Sequence, residues 1–242
     1  MNTFVIKAGG SGNIIETDFK HEIEWLKYRR IQIDAKYFST LIESLTTASY
    51  DNKIVYVNGG VAAFIFIDLA RNLGLDNENL DEIGCRIVNT TSYIILESLK
   101  NKSAKVYPEL INPLEFRKEI LNDYNLILIK AIQGFKSTDS LATYIASQVQ
   151  ESELMFFKKG IPIYHVGFES PTKVTEFKLS DLENIGAKVT EVPGNNAILD
   201  KESINIIKKK MIKTVLYNSD DIDKLDKIIS GVGLVEKTMI RL

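Results

Sequence analysis

The chain has 242 residues, 45% hydrophobic and 26% charged, which is enough apolar mass for one large domain or two small ones and argues against disorder. Its formal net charge of −2 argues against a dedicated nucleic-acid binder, whose surface must be basic to meet phosphate backbones. A single cysteine, Cys85, excludes an internal disulfide; the two distant histidines, His21 and His165, predict no dedicated metal site. No apolar run reaches the roughly 20 residues that span a bilayer, and the N-terminus lacks a signal-peptide layout, so a cytoplasmic protein with no membrane partner is expected.

Thr3-Phe4-Val5-Ile6 reads as a buried strand, running into Lys7-Ala8-Gly9-Gly10-Ser11-Gly12-Asn13. A strand that ends in glycines and a serine leaves backbone N–H groups uncovered for an anion, and Lys7 adds a positive charge there. The segment is not a Walker A loop, because no Gly-Lys-Ser/Thr follows a four-residue spacer. Residues 14–33 carry no clear period. Asp34 to Ala48 predicts a helix with Tyr37, Phe38, Leu41, Ile42 and Leu45 on one face.

Ile54-Val55-Tyr56-Val57 is a second buried strand, broken by Asn58-Gly59-Gly60. Val61 to Leu73 is apolar almost all round, which predicts a central helix stopped by Gly74. Leu80 to Leu99 predicts an amphipathic helix turning Ile83, Ile87, Thr91, Ile94 and Ile95 inward, with Cys85 as a small buried side chain. Leu126 to Ile129 is a further buried strand, and Ser137-Thr138-Asp139 offers three N-cap candidates for a helix whose inner face is Leu141, Ile145 and Val149. Leu154 to Phe157 and Ile161 to Tyr164 read as short strands. A helix from Asp200 to Lys210 follows, with Lys208, Lys209 and Lys210 as its solvated basic end. Thr214 to Tyr217, a helix near Asp220 to Ile229 and a strand near Val235 to Ile240 close the chain.

Strands and helices alternate throughout, so the expected class is α/β with a largely parallel sheet, in one domain over 1–242. Such sheets gather ligands at the carboxyl ends of their strands. Three of those ends carry phosphate-friendly chemistry: Lys7 to Ser11, Gly59-Gly60 and Ser137-Thr138-Asp139. Each alone is explained by a turn or a helix cap; three at successive strand ends favour an anionic ligand.

These segments resemble the amino acid kinase family, most closely its uridylate kinase branch of archaeal type. Leu80-Asp81-Glu82-Ile83-Gly84-Cys85-Arg86 with Asn89 resembles that branch's acceptor-side helix, and Lys7 to Ser11 its first phosphate loop. Asn58-Gly59-Gly60 stands where the family has a triple glycine, and Ser137-Thr138-Asp139 where it has Thr-Thr-Asp. Asn196 to Asp200, Met211 to Thr214 and Glu236-Lys237-Thr238 echo its closing elements.

The resemblance implies a three-layer αβα sandwich around a mostly parallel sheet of about eight strands. An acceptor lobe would cover about 1–150 and a nucleotide lobe about 151–242. It implies ATP and magnesium, with Lys7 as the catalytic residue; Gly9, Gly10, Ser11, Gly59 and Gly60 on phosphates; and Asp81, Thr138 and Asp139 on the acceptor. Relatives of this branch form hexamers built from dimers, so a homo-oligomer is implied too.

The chain departs from the pattern at Asn58, Val61, Phe64, Lys130-Ala131 and Gly134-Phe135, where the family has glycines, polar residues or an arginine. Its nucleotide motif Val-Asp-Gly-Val-Tyr has become Gly160-Ile161-Pro162-Ile163-Tyr164, and its Asp-Pro is Ser170-Pro171. A side chain in place of glycine is expected to push a phosphate away. Lys130, Lys158 and Lys159 are added charges, either replacements or solvent-facing. The resulting expectation is phosphoryl transfer from ATP to a nucleoside monophosphate or another small phosphate. The alternatives are a relative that holds a nucleotide without turnover, and a storage subunit for molybdate or tungstate clusters.

Overall fold

Leu126 to Ile129 are all buried, the pattern of a strand covered on both faces. In the computed structural model such strands form the middle of an eight-stranded sheet in the order β10-β12-β11-β7-β1-β4-β6-β5. The structure describes residues 1–9, 14–19, 28–60, 63–102, 104–149, 151–159, 163–165, 172–181, 198–233 and 235–241.

The sheet strands are β1 (Thr3–Gly9), β4 (Lys53–Gly59), β5 (Val106–Ile111), β6 (Leu126–Ile129), β7 (Glu153–Lys158), β10 (Glu176–Lys178), β11 (Thr214–Asn218) and β12 (Lys237–Arg241). Every neighbouring pair is parallel except β11 with β12. Two antiparallel ribbons lie outside it: β2 (Ile14–Phe19) with β3 (Tyr28–Ile33), and β8 (Ile163–His165) with β9 (Thr172–Val174). The first ribbon occupies the stretch whose sequence carries no period.

Helices cover both faces. They are α1 (Ala35–Ala48), α2 (Ala63–Asn72), α3 (Asn77–Asn101), the short α4 (Ile120–Asp123), α5 (Thr138–Gln148), α6 (Lys201–Lys210) and α7 (Leu225–Ser230), the last preceded by a 3₁₀ turn over Ser219–Lys224. Asp34, Asp76, Ser137 and Asp200 cap α1, α3, α5 and α6 through side-chain oxygens that accept from first-turn amides. Strand alternation sorts the core. Val5, Val55, Val57, Ile127, Leu154 and Phe156 pack with Leu141, Ala142 and Ile145 of α5 and Ile204 and Ile207 of α6. Phe4, Ile6, Tyr56, Leu128 and Phe157 pack on the other face with Leu41 and Leu45 of α1, Ile95 and Leu99 of α3, and Leu225 of α7.

Three expectations are corrected. The apolar run 61–73 is not a central helix: α2 buries Ala63, Ile67 and Ala70 against α3, while Phe66, Leu69 and Leu73 face outward. Ile94 of α3 is also exposed, at 59%, because the inward face follows Val88, Thr91, Ile95 and Leu99. Cys85 is only half-buried. Of the strand expected over Ile161 to Tyr164, Ile163 and Tyr164 stand in β8, and Ile161 and Pro162 lie outside the described residues.

Candidate functional site

Val5 and Lys7 share one face of β1, and Leu154, Phe156 and Lys158 share the same face of the adjacent β7, since Lys7 stands opposite Phe156 in the register. Both lysines therefore rise toward α5 at the carboxyl end of the sheet. The second residue of α5 is Asp139. Its Oδ1 lies 3.0 Å from Lys7 Nζ, and its Oδ2 accepts from Lys158 Nζ. The three side chains are 9%, 9% and 16% exposed for Lys7, Asp139 and Lys158. The Lys158 ammonium also lies 5.7 Å from the centre of the Phe156 ring, within cation–π range.

Burial alone would push the Asp139 carboxyl up, but the charges of Lys158 and Lys7 outweigh it and hold the group below the ordinary carboxylate range. Burial is also the main force on Lys158. It lowers the ammonium pKa and, helped by Lys7, prevails over the opposing pull of Asp139 and Asp200. Two cations share one carboxylate in direct contact, so the cluster carries a surplus positive charge in a site of low dielectric.

Of the sequence-derived candidates, Lys7 and Asp139 meet directly, with Thr138 between the Ser137 cap and Asp139. Gly9 ends β1 with a φ of 102°, a conformation that favours glycine, and pairs with Gly59 of β4. Gly60 is held small by packing, because a Cβ there would lie 3.3 Å from Ala63 Cβ at the start of α2. Gly10 and Ser11 lie outside the described residues, as do Val61, the nucleotide-motif residues Gly160, Ile161 and Pro162, and the pair Ser170-Pro171.

Asp81 of α3 touches a different part of the site. Burial pushes its carboxyl up, against the opposing effects of the nearby Gly134 amide and of Lys136. Gln133 reaches back to the Glu78 carbonyl at 3.0 Å, and Asn89 brackets Ala131 with two 2.8 Å hydrogen bonds. Together these tie the loop before α5 to α3. Beside Asp81, burial and then the charges of Asp81 and Glu82 push the Cys85 thiol up to about 12, leaving it a poor nucleophile.

The altered positions fall out unevenly. Asn58 does not crowd a phosphate: its side chain is buried, with Nδ2 donating to Thr91 Oγ1 at 2.7 Å and Oδ1 accepting from the Tyr56 hydroxyl at 3.2 Å. Lys130 is exposed, and its amide completes the pairing of β6 with β5 by donating to Ile111. Phe135 packs on Tyr144 of α5 with ring centres 5.3 Å apart. Lys159 is exposed, whereas Lys158 is drawn into the cluster. The alternation Leu154-Phe156-Lys158 is the sequence signal that separates the two, because it puts Lys158 on the α5 face.

No family model matches the chain. Over 216 residues it is 26% identical to a uridylate kinase of Staphylothermus marinus, covering 83% of this chain and 93% of that protein. It is 24% identical over 205 residues to a uridylate kinase of Methanobrevibacter smithii, covering 83% and 89%. The fold superposes on the crystal structure of uridylate kinase from Archaeoglobus fulgidus with a TM-score of 0.72 at 18% identity, over all of both chains. The UMP kinase structure from Ureaplasma parvum gives 0.73 at 15% identity, covering 100% of this chain and 99% of that one. In sequence and in fold the chain is therefore similar to uridylate kinases, a likeness that supports the uridylate kinase-like branch of the amino acid kinase family.

Proposed function

We propose that the protein transfers the terminal phosphoryl group of ATP to a nucleoside monophosphate, with UMP as the first acceptor to try. The observation that carries this reading is the surplus positive charge of Lys7 and Lys158 around Asp139, at the strand ends where parallel α/β sheets gather ligands. A migrating phosphoryl group spreads negative charge over its oxygens and needs positioning and neutralisation more than covalent chemistry. In this reading Lys7 and Lys158 neutralise that charge, and Asp139 holds both ammonium groups in place. The bond from the phosphorus to ADP breaks as the bond to an acceptor phosphate oxygen forms, giving ADP and a nucleoside diphosphate.

Gly9, Gly10, Ser11, Gly59 and Gly60 are assigned to the phosphates, and Asp81 and Thr138 to the acceptor. The ties of Asp81 to the loop before α5 support that placement. Among the described residues no group of three His, Cys, Asp or Glu side chains is placed to hold a metal ion. Asp139 has both oxygens turned to ammonium groups and is not a metal ligand as it stands. Lys7 and Lys158 are the chain's own cations for that neutralisation, and magnesium bound with ATP would add to it.

Among the described residues no helix is long and apolar enough to cross a membrane. Phe66 and Leu69 of α2 and Tyr93 and Ile94 of α3 are exposed, which supports assembly into a homo-oligomer that covers such faces. A coupled assay tests the activity: ATP plus UMP should release ADP, and Lys7→Ala should abolish the release. ATP binding without ADP release would instead identify a nucleotide-holding relative. No nucleotide-dependent shift in Tm, with molybdate or tungstate retained by the purified protein, would point to storage.

A further inference from the structure

Helices α5 and α6 are joined at their first turns by side chains that the phosphoryl chemistry leaves without a task. Asp200 caps α6, accepting from the Ser203 N–H at 2.8 Å and the Ser203 hydroxyl at 2.9 Å. A cap of α6 needs no more than that. Yet Asp200 Oδ2 also accepts from the hydroxyl of Ser137, the N-cap of α5. The Ser137 oxygen in turn accepts from the amides of Asp139 at 2.9 Å and Ser140 at 3.3 Å. A parallel link runs from the Lys136 N–H to Glu202 Oε2 at 3.2 Å.

A serine hydroxyl has one proton to give, and an ionised carboxylate can only accept. The Ser137 proton is therefore committed to Asp200, and the oxygen's lone pairs are left to face the two α5 amides. This fixes the direction of donation in the whole relay, from the amide of Asp139 through Ser137 to Asp200 on α6. Asp139 is the residue that both lysines meet, so a shift of the first turn of α5 displaces the centre of the cluster.

We propose that Asp200 is a positioning residue for the Lys7–Asp139–Lys158 cluster, holding the first turn of α5 in register through Ser137. The kinetic consequence rests on the phosphotransferase reading; the geometric one does not. Asp200 also bears on Lys158 through space, favouring its charged form, while Asp139 acts with it and Lys7 against it.

The test uses the full chain and the variants Asp200→Ala, Asp200→Asn, Ser137→Ala and the Asp200→Ala/Ser137→Ala double, with two readouts. The first is kcat and KM for ATP-dependent phosphorylation of UMP. The second is the titration midpoint of the Lys158 ammonium, followed by NMR of lysine-ε-¹³C protein and assigned with Lys158→Met. Asp200→Ala and Ser137→Ala should each lower kcat by roughly tenfold to a hundredfold with KM little changed, as small misplacements at a reacting centre do. The double variant should be no worse than the poorer single one, because both break the same relay. The Lys158 midpoint should fall in Asp200→Ala. Asp200→Asn keeps a carbonyl to cap α6 and shows the same directions where Asp200→Ala fails to fold. Unchanged kcat, or losses that multiply in the double variant, would overturn the proposal. If the wild type releases no ADP, the kinase reading fails on its own and the midpoint decides. Moved in Ser137→Ala, which keeps the Asp200 charge and breaks only the relay, it upholds the positioning role; unmoved there, it refutes it.

Discussion

Two buried polar groups flank the ends of β1 and β4, one residue apart in register. Lys7 stands opposite Val57, and Ala8 stands opposite Asn58. Around Asn58 everything is neutral and closed. The Tyr56 hydroxyl donates to Asn58 Oδ1 and sits 3.2 Å from the Ala8 carbonyl, Asn58 Nδ2 donates to Thr91, and the Thr91 hydroxyl sits 2.9 Å from the Val88 carbonyl. Around Lys7 the group is charged and unbalanced, two ammonium groups to one carboxylate. A buried polar set that satisfies itself locks the strands to a helix and asks nothing more. One with surplus charge costs stability until an anion completes it. The first is architecture, and the second is where a ligand gains its affinity.

The contrast is sharpest at Asp139. Asp139→Asn removes the carboxylate in direct contact with both buried ammonium groups and should lower stability by about 3 kcal/mol at neutral pH, read by urea denaturation. The Asp139 carboxyl sits below its ordinary pKa, so its contribution is complete above the unfolded value of about 4 and is lost as pH falls through the folded value. The gap between wild type and variant should therefore close in acid; a gap that persists there would assign the loss to packing.

Lys158→Met separates function from stability. Asp139 keeps Lys7 as its partner and the surplus charge disappears, so Tm should stay level or rise while phosphoryl transfer falls by at least about a hundredfold. A fall in Tm with activity intact would make Lys158 a structural ion-pair member only. The smallest effect is expected on the neutral side: Asn58→Ala removes the donor to Thr91 and should cost about 1–3 kcal/mol of stability with nucleotide affinity unchanged.

Much of the fold was legible in apolar runs. Leu126 to Ile129 read as a doubly covered strand, and Asp34, Ser137 and Asp200 stand as caps where helix periodicity begins. The run 61–73 misled because apolar residues on all sides of a helix do not say which neighbour covers them; α3 covers only one side. The hairpin of β2 and β3 carries too few periodic positions to be read from sequence. For the site, Lys7 was legible from the glycines behind it, and Asp139 from its place after a cap. Lys158 was legible only as an added charge on the face of Leu154 and Phe156; its meeting with Asp139 depends on β7 lying beside β1, a neighbour relation between segments about 150 residues apart. Asn58 was legible as a departure but not in direction: that its side chain turns toward Thr91 is a product of packing between β4 and α3.

Calorimetric titration of ATP into the wild type, Lys7→Met and Lys158→Met addresses the surplus charge directly. Binding should be measurable in the wild type and weakened more than about tenfold in each variant, a loss of at least about 1.4 kcal/mol of affinity for each cation removed. Equal affinity in all three folded proteins would contradict the assignment of the two lysines and Asp139 as the seat of the phosphates.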